Sequence, residues 1–146
     1  MNNSEHAHEL SLEILNTRMA FRQAVQRVLK HNNTEMTFEM LQVMHRLWST
    51  EGVSQQHLAE KTAKDKACLT NLINNLEKKG WVMRKEDPSD RRNRLIFLTD
   101  KGRELSHQVR PLLDGIYQQV AEKMSGKQIQ DSINNLSKLS KILNEL

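Results

Sequence analysis

The sequence predicts a mainly α-helical protein that carries one small β-hairpin. Only six of its 146 residues are aromatic, five are glycine and two are proline, too few for a turn-rich all-β sandwich or barrel. Over most of the chain, apolar residues recur at three- and four-residue spacings, the period of an amphipathic helix. Two short apolar runs that flank a polar turn interrupt this pattern and predict the hairpin.

The first predicted helix runs from about Glu9 to Lys30, with apolar residues along one side. It ends in the polar residues 31–33. Thr34 followed by Glu35 then predicts an N-cap with an acidic first turn. The second helix, which begins there, is expected to end near Gly52.

A short strand at Val53 and a brief helix capped by Ser54 lead to a helix from Asp65 to Lys79. Gly80 is suited to the position that follows a helix C-terminus. Two faces are distinguished by their spacing along this helix. The apolar face consists of Leu69, Leu72, Ile73 and Leu76, and the polar face consists of Lys66, Thr70 and Asn74.

Trp81–Glu86 and Arg94–Thr99 are the two predicted strands of the hairpin, and residues 87–93 form a charged turn between them. Thr99 is also the predicted N-cap of the next long helix. That helix contains Pro111, and an interior proline removes a backbone hydrogen bond at a cost of about 3 kcal/mol. We therefore expect a kink or break between His107 and Pro111. A last amphipathic helix covers residues 129–146.

The positive charge of the chain is confined to one segment. The net charge is +4, but residues 61–94 carry ten basic and five acidic side chains, a net of +5, and the remainder carries −1. Confined positive charge is typical of polyanion binding, because each neutralised phosphate releases a counterion. A solvated charged surface would explain the charge alone equally well, so the neighbouring pattern has to decide.

Several other classes of protein are not expected. The polar segment Met1–His8 has no apolar signal-peptide core, and no stretch approaches the roughly 18 apolar residues of a transmembrane helix, which favours a cytoplasmic protein without a membrane partner. Cys68 cannot form an intramolecular disulfide and is expected to be a small buried residue rather than a redox sensor. His6 and His8 indicate a solvated polar tail rather than a metal site. With no catalytic constellation, metal set or glycine-rich phosphate loop, we expect neither an enzyme nor a cofactor.

A helix-turn-helix followed by a hairpin is the order of a winged helix, in which a polar-faced helix suits the major groove and a charged tip suits the minor groove. From about Phe38 to Glu104 the chain closely resembles the MarR (multiple antibiotic resistance regulator) family of bacterial transcription factors. The motifs that carry the resemblance are Gln56-His57-Leu58-Ala59-Glu60, Leu69-Thr70 with Leu76-Glu77-Lys78-Lys79-Gly80, and Asp87-Pro88-Ser89-Asp90-Arg91-Arg92 running into Leu98-Thr99-Asp100-Lys101-Gly102-Arg103.

The resemblance implies a homodimeric regulator in three parts: an N-terminal dimerisation helix in residues 1–33, a winged helix-turn-helix in residues 34–99 and C-terminal dimerisation helices in residues 100–146. Each subunit would bind half of a pseudo-palindromic operator in double-stranded DNA, and we expect a repressor. The apolar surface of the two chain ends also exceeds what one small subunit covers.

The resemblance also implies which residues contact DNA. Those expected near phosphates are Ser54, Gln55, Gln56 and Lys64. Those expected to face the major groove are Lys66, Ala67, Thr70, Asn71 and Asn74. Asn71 stands where many family members carry arginine, which leaves the base preference open. Thr62 and Lys64 stand where apolar residues are usual, which predicts a turn that is looser or more directed to phosphates.

At the expected tip of the wing, Asp90 is read as a brace that orients Arg92. Either Arg91 or Arg92 would enter the minor groove. Family members also often bind small phenolic or other amphipathic effectors between their DNA-binding and dimerisation regions. The resemblance implies such a pocket here, and its expected lining residues are Phe21, Met44, His45 and Trp48.

A second hypothesis is a helical adaptor whose basic segment binds an acidic protein partner. It predicts no preference for any duplex and no dependence on the wing arginines. Single-stranded nucleic acid is a poorer fit as a target, because the few aromatic residues offer no platform for stacking bases.

Overall fold

The computed structural model describes residues 1–62 and 64–146, and these residues confirm the predicted mainly α-helical fold with a small β-hairpin. The chain divides into two compact units, Met1–Leu112 and Leu113–Leu146. In chain order the elements are α1 (Asn3–His31), α2 (Phe38–Ser49), β1 (Val53–Ser54), α3 (Gln55–Thr62), α4 (Lys66–Lys78), β2 (Val82–Asp87), β3 (Asp90–Leu98), α5 (Asp100–Lys123) and α6 (Gly126–Asn144).

Helix α1 begins six residues earlier than the sequence predicts. The backbone N–H of Glu5 donates to the Asn2 side chain at 2.9 Å, and the backbone N–H of Asn2 donates to the Glu5 carboxylate at 2.9 Å. This capping box satisfies the first turn without any apolar contact. His6 and His8 are exposed, as predicted, but they lie within α1 because the predicted start of this helix at Glu9 is wrong.

Helix α2 begins three residues later than predicted, because its cap is Thr37 and not Thr34. The Thr37 hydroxyl accepts a hydrogen bond from the backbone N–H of Met40 at 3.1 Å. Thr34 is buried, and its hydroxyl donates to the Leu29 carbonyl at the end of α1, at 2.9 Å. The Thr34 side chain therefore binds the end of α1 instead of capping α2, a choice that the sequence pattern does not indicate.

In the helix-turn-helix, Ser54 caps α3 as predicted, and Asp65, predicted as the first residue of α4, is the residue that caps it. Ser54 Oγ accepts the backbone N–H of His57 at 3.0 Å, and the Asp65 carboxylate accepts that of Cys68 at 2.7 Å. Gly80, with a φ of +76°, follows the end of α4 in the left-handed region that glycine enters without strain. The fully buried side chains of the surrounding core include Met44, Leu47, Leu58, Leu69, Ile73, Leu76 and Ile96.

The sheet has three antiparallel strands in the order β1-β3-β2, so the predicted hairpin gains β1 as an extra edge strand. The predicted turn over residues 87–93 is too long, because β3 already begins at Asp90. The pairing jumps from Glu86 opposite Arg94 to Asp87 opposite Asp90, so residues 91–93 form a bulge near the tip.

The first turn of α5 joins three parts of the first unit. Thr99 Oγ1 accepts the backbone N–H of Gly102 at 3.0 Å and donates to the Gly80 carbonyl. The indole Nε1–H of Trp48, on α2, donates to the Gly102 carbonyl at 2.9 Å. A Cβ atom on residue 102 would lie 2.0 Å from the carbonyl oxygen of Trp81. Glycine is therefore required at this position for close approach and not for its backbone angles.

The predicted break near Pro111 is wrong, because α5 is continuous from Asp100 to Lys123 with Pro111 inside it. Proline removes the hydrogen bond to the carbonyl of His107, and both residues are exposed, so water can solvate the freed carbonyl. Among the helices of residues 1–62 and 64–146, none is both long and apolar enough to cross a membrane.

The second unit contains the end of α5 and all of α6. Ser125 and Gln128 form a capping box at the start of α6. This helix corresponds to the last helix that the sequence predicts. No residue of α6 is buried, although its apolar residues lie along one side. The large apolar residues exposed in this unit are Tyr117, Val120, Met124, Ile133, Leu136, Ile142, Leu143 and Leu146.

Candidate nucleic-acid interface

Helix α4 has one buried face and one polar face. Leu69, Ile73 and Leu76 are fully enclosed by the core. The side chains predicted to face DNA are on the other side of the helix. Lys66, Ala67, Asn71 and Asn74 are exposed, and Thr70 is half-buried.

The half-buried Thr70 is held by α3. Its hydroxyl donates to the carbonyl of Lys66, one turn earlier, at 2.8 Å, and accepts from Gln55 Nε2 at 2.7 Å. Because the backbone carbonyl can only accept, the threonine proton is committed to it, and Gln55 has to present its NH2 group. Gln55 therefore fixes the first turns of α4 as well as lying at the start of α3.

Asn74 is held by the wing. Arg84, on β2, donates from Nη2 to Asn74 Oδ1 at 2.8 Å and from Nη1 to Glu77 Oε1 at 2.8 Å. The arginine side chain is only 16% exposed. One guanidinium thus bridges two residues three apart on α4 and ties this helix to the hairpin.

Arg84 is absent from the set of residues predicted from the sequence. A signal for it exists in the strand pattern, since alternate residues of a strand share a face and Arg84 is two residues from the buried Val82. A charged side chain on the packed face of a strand needs a partner. The partner, ten residues away in α4, is not indicated by the sequence.

The tip of the wing is ordered by carboxylates. Asp87 Oδ1 accepts the Ser89 hydroxyl at 2.7 Å and the Ser89 backbone N–H at 2.9 Å, and these bonds hold the pKa of the Asp87 carboxyl below its usual range. Asp90 Oδ1 accepts the backbone N–H of Arg92 at 3.0 Å. Arg91 and Arg92 are both exposed.

The predicted brace of Arg92 by Asp90 therefore acts on the backbone. Within the described residues, no ion pair joins the Asp90 carboxylate to the Arg91 or Arg92 guanidinium. A single hydrogen bond, donated by the Arg92 backbone N–H and accepted by the Asp90 carboxylate, orients the bulge that carries both arginines and leaves both side chains exposed to solvent.

Of the residues predicted to lie near phosphates, Ser54, Gln55 and Gln56 lie at the start of α3, and Lys64 lies between α3 and α4. Gln56 is exposed, whereas Ser54 and Lys64 are half-buried. Thr62 is buried and its hydroxyl donates to the carbonyl of Leu58 at 2.6 Å, so it ends α3 by a hydrogen bond where an apolar residue would pack.

Cys68 is exposed, so the prediction that it is a buried residue is wrong. It lies in the first turn of α4, where its backbone N–H is capped by Asp65 and only Leu69 reaches the core. A residue beside the apolar face of a helix can therefore be exposed when it lies in the first turn of the helix, as Cys68 does.

The four residues expected to line an effector pocket lie in different surroundings. Met44 is fully buried and Trp48 is half-buried with its indole N–H bound to Gly102. His45 and Phe21 are exposed. The pocket stays a prediction.

Glu51 and Arg103 brace the base of the wing. Arg103 Nη2 donates to Glu51 Oε1 at 2.8 Å, and Glu51 Oε1 also accepts the backbone N–H of Leu98 at 3.3 Å. The hydrogen bond from Arg103 lowers the pKa of the Glu51 carboxyl and raises the pKa of the Arg103 guanidinium. Asp100 adds a second ion pair to the same arginine.

Residues 36–93, which contain α2 to the tip of the wing, match the MarR family model. The matched residues are less than half of the chain, and over them the chain resembles the MarR family, as the sequence motifs predicted. Relatives of the chain are named HTH-type transcriptional regulators, the class of protein that the motifs also predicted.

Among the relatives of this chain is the HTH-type transcriptional regulator TtmR of Methylorubrum extorquens (strain PA1). It is 40% identical over 86 residues, which are 59% of this chain and 43% of TtmR. The match therefore spans less than half of the length of that relative.

Two solved structures share the fold. A mutant of MarR from E. coli in complex with operator DNA superposes with a TM-score of 0.84 at 19% identity, over 95% of this chain and 99% of that one. NadR in complex with 4-hydroxyphenylacetate superposes with a TM-score of 0.75 at 22% identity, over 91% of this chain and 93% of NadR. Identities this low establish the fold alone.

Proposed function

We propose that this protein is a MarR-family regulator that binds a pseudo-palindromic operator in duplex DNA as a homodimer and represses transcription from it. The observation that carries the proposal is the two-faced α4 beside an exposed basic tip. Its apolar face is enclosed by the core, its polar face is open, and the wing that carries Arg91 and Arg92 is tied to it through Arg84.

Helix α4 has the dimensions that the major groove requires. Its thirteen residues extend about 20 Å, and a groove about 12 Å wide admits one α-helix. Lys66, Ala67, Thr70, Asn71 and Asn74 would then face base edges. A solved relative of the same fold, MarR from E. coli, is bound to operator DNA.

DNA would also be contacted on the two sides of α4, at phosphates on one side and in the minor groove on the other. On one side are Ser54, Gln55 and Gln56 at the start of α3 and Lys64 between α3 and α4, and we place these residues near phosphates. On the other side, the bulge directs Arg91 and Arg92 to solvent, and arginine is attracted by the negative potential of a narrow minor groove. Asp90 holds the backbone of this bulge.

The homodimer is supported by apolar surface that a single chain leaves open. In the first unit, Leu10, Leu15 and Met19 of α1 are between 44% and 56% exposed. In the second unit, α6 has no buried residue. Two copies of this chain that cover these surfaces would present two winged helices to the two halves of one operator.

Release by a small ligand is part of the proposal. NadR, which shares the fold, is bound to 4-hydroxyphenylacetate. We place the pocket of this chain near Phe21, Met44, His45 and Trp48. The protein would act in the cytoplasm, without enzymatic activity and without a metal or cofactor.

Binding to duplexes selected from a random library, followed by fluorescence anisotropy at several salt concentrations, tests the proposed function. Lys66→Ala and Arg92→Ala should weaken binding. A variant whose lost contact is to a phosphate should also reduce the slope of log affinity against log salt by about one unit. Lys127→Ala, which removes an exposed lysine paired with Asp131 on α6, is the matched control and should keep the affinity and the slope.

The same experiment separates the regulator from an adaptor for an acidic protein. An adaptor would select no duplex sequence, and its affinity for DNA would not depend on Lys66 or Arg92. Sedimentation at micromolar concentration tests the dimer, and a monomer in the absence of DNA would contradict it.

A further inference from the structure

We propose that Arg84 is a positioning residue for sequence recognition, because it orients the amide of Asn74 so that only its NH2 end reads the major groove. The inference rests on the proposed function, in which α4 enters that groove. It goes beyond that function by naming the base that Asn74 selects and the residue that makes it select that base.

The chemistry of the guanidinium decides which end of the amide faces the sheet. Arginine can only donate hydrogen bonds, so the Asn74 atom 2.8 Å from Arg84 Nη2 has to be the carbonyl oxygen. The NH2 group therefore points away from β2. Among the hydrogen bonds of residues 1–62 and 64–146, none uses that NH2 group, and the Asn74 side chain is exposed.

The orientation is held because Arg84 is itself held. Its other terminal nitrogen donates to Glu77 at 2.8 Å, and its side chain is only 16% exposed. Rotating the Asn74 amide by half a turn would replace the carbonyl oxygen that faces Arg84 with the NH2 group. The N–H groups of Arg84 and Asn74 would then face each other. A charge-assisted hydrogen bond would be lost without a replacement.

This orientation changes the base that an asparagine prefers. A free asparagine contacts adenine with both ends of its amide, accepting from N6 and donating to N7. Here the accepting end faces Arg84, so the NH2 group has to find acceptors. Guanine presents two acceptors, N7 and O6, at the same edge and no donor. We therefore infer that Asn74 selects guanine over adenine.

The experiment uses the full-length chain and duplexes selected from a random library. The operator position read by Asn74 is the one whose base preference disappears in Asn74→Ala. Guanine should occupy it, and adenine there should weaken binding about fivefold, the effect of one net hydrogen bond. The readout is the ratio of affinities for the guanine and adenine duplexes, which a general loss of stability does not alter.

Two variants separate the orientation of the amide from its presence. Arg84→Met frees the amide to turn, so the ratio of guanine to adenine affinity should fall to one or below, because a free asparagine contacts adenine with both ends of its amide. The same change in an Asn74→Ala background should have no further effect on the ratio. Asn74→Asp keeps an oxygen for Arg84 but has no NH2 group, so guanine should lose its advantage and cytosine, whose amino group donates, should gain. Arg110→Met, at an exposed arginine on α5, is the matched control and should keep the ratio.

Asn74→Asp decides the matter even if Arg84→Met does not fold. Adenine at the position read by Asn74, a uniform loss of affinity in Asn74→Ala, or an unchanged ratio in Asn74→Asp would overturn the inference and leave the proposed function standing. A wild-type chain that selects no duplex sequence would overturn both.

Discussion

The two compact units of the chain differ in how they treat apolar side chains. In Met1–Leu112, leucines such as Leu58, Leu69 and Leu76 are completely enclosed. In Leu113–Leu146, α6 has leucines and isoleucines at the same helical spacing, yet none of its residues is buried. The same helical spacing of apolar residues thus gives a closed core around α4 in the first unit and an open surface along α6 in the second.

This difference separates two kinds of stability. The core of the first unit is formed by residues that are far apart in one chain, so its contribution does not depend on protein concentration. The open apolar side of α6 can be stabilised only by something outside the second unit. If a second copy covers it, as we propose, that contribution has to grow with concentration.

The difference between the two units is tested most directly by replacing one leucine in each unit with alanine. Leu76→Ala should lower the free energy of unfolding by about 2–5 kcal/mol at every protein concentration, because it leaves a cavity in a closed core. Leu136→Ala, at a residue 44% exposed, should act through dimer affinity instead. Denaturation at several protein concentrations measures both. An equal loss for the two variants, independent of concentration, would end the distinction between the units.

A glycine pair in the single helix α5 tests the same contrast with one added methyl group. Gly102→Ala, in the first unit, should destabilise the protein by about 3 kcal/mol, since the new carbon would lie 2.0 Å from the backbone oxygen of Trp81. Gly115→Ala, in the second unit, meets nothing within 4 Å and should stabilise the helix by roughly 0.5–1 kcal/mol. Chemical denaturation should give opposite signs, and matching signs would contradict the structure.

The smallest expected effect concerns pH and lies wholly in the first unit. The hydrogen bond from Arg103 lowers the pKa of Glu51 below the ordinary 4.5, so the folded state binds fewer protons than the unfolded state. The stabilisation is present above pH 4.5 and is lost as the pH falls through the lowered pKa. Glu51→Gln should therefore be less stable than wild type at neutral pH, with the gap closing in acid.

Thermal denaturation of both proteins between pH 3 and pH 7 measures that gap. The pair is largely exposed, so the effect is small and is best isolated by repeating the comparison in an Arg103→Gln background. There the pH-dependent gap should shrink, because the hydrogen bond from the Leu98 backbone N–H to Glu51 remains. A gap of the same size without Arg103 would assign the lowered pKa to another group.

Much of the winged region could be predicted because its signals are local. The Ser54 cap of α3, the apolar face of α4 and Gly80 at its end are each indicated by residues close together in the sequence, and each has its own physical cause. The sequence motifs around the wing then indicated the MarR family. The fold class followed from signals of this kind.

What could not be predicted depends on which of several possible partners each side chain contacts in the folded chain. Thr34 and Thr37 are equally good caps by pattern, and the choice is made by the Leu29 carbonyl, which binds the first of them. Likewise Asn74 is an ordinary exposed asparagine in the sequence. Only the fold places Arg84 beside it and so divides its amide into a protein side and an open side.

The joint formed at the start of α5, where Gly102 lies against Trp48 and Trp81, also provides the protein with a fluorescent reporter. The chain has two tryptophans, and both lie at this joint: Trp48 through its indole hydrogen bond to Gly102, and Trp81 through its backbone carbonyl beside the same glycine. Helix α6 and the tip of the wing contain none. Intrinsic fluorescence, recorded without any label, therefore reports the region where the wing meets the helix that leaves it.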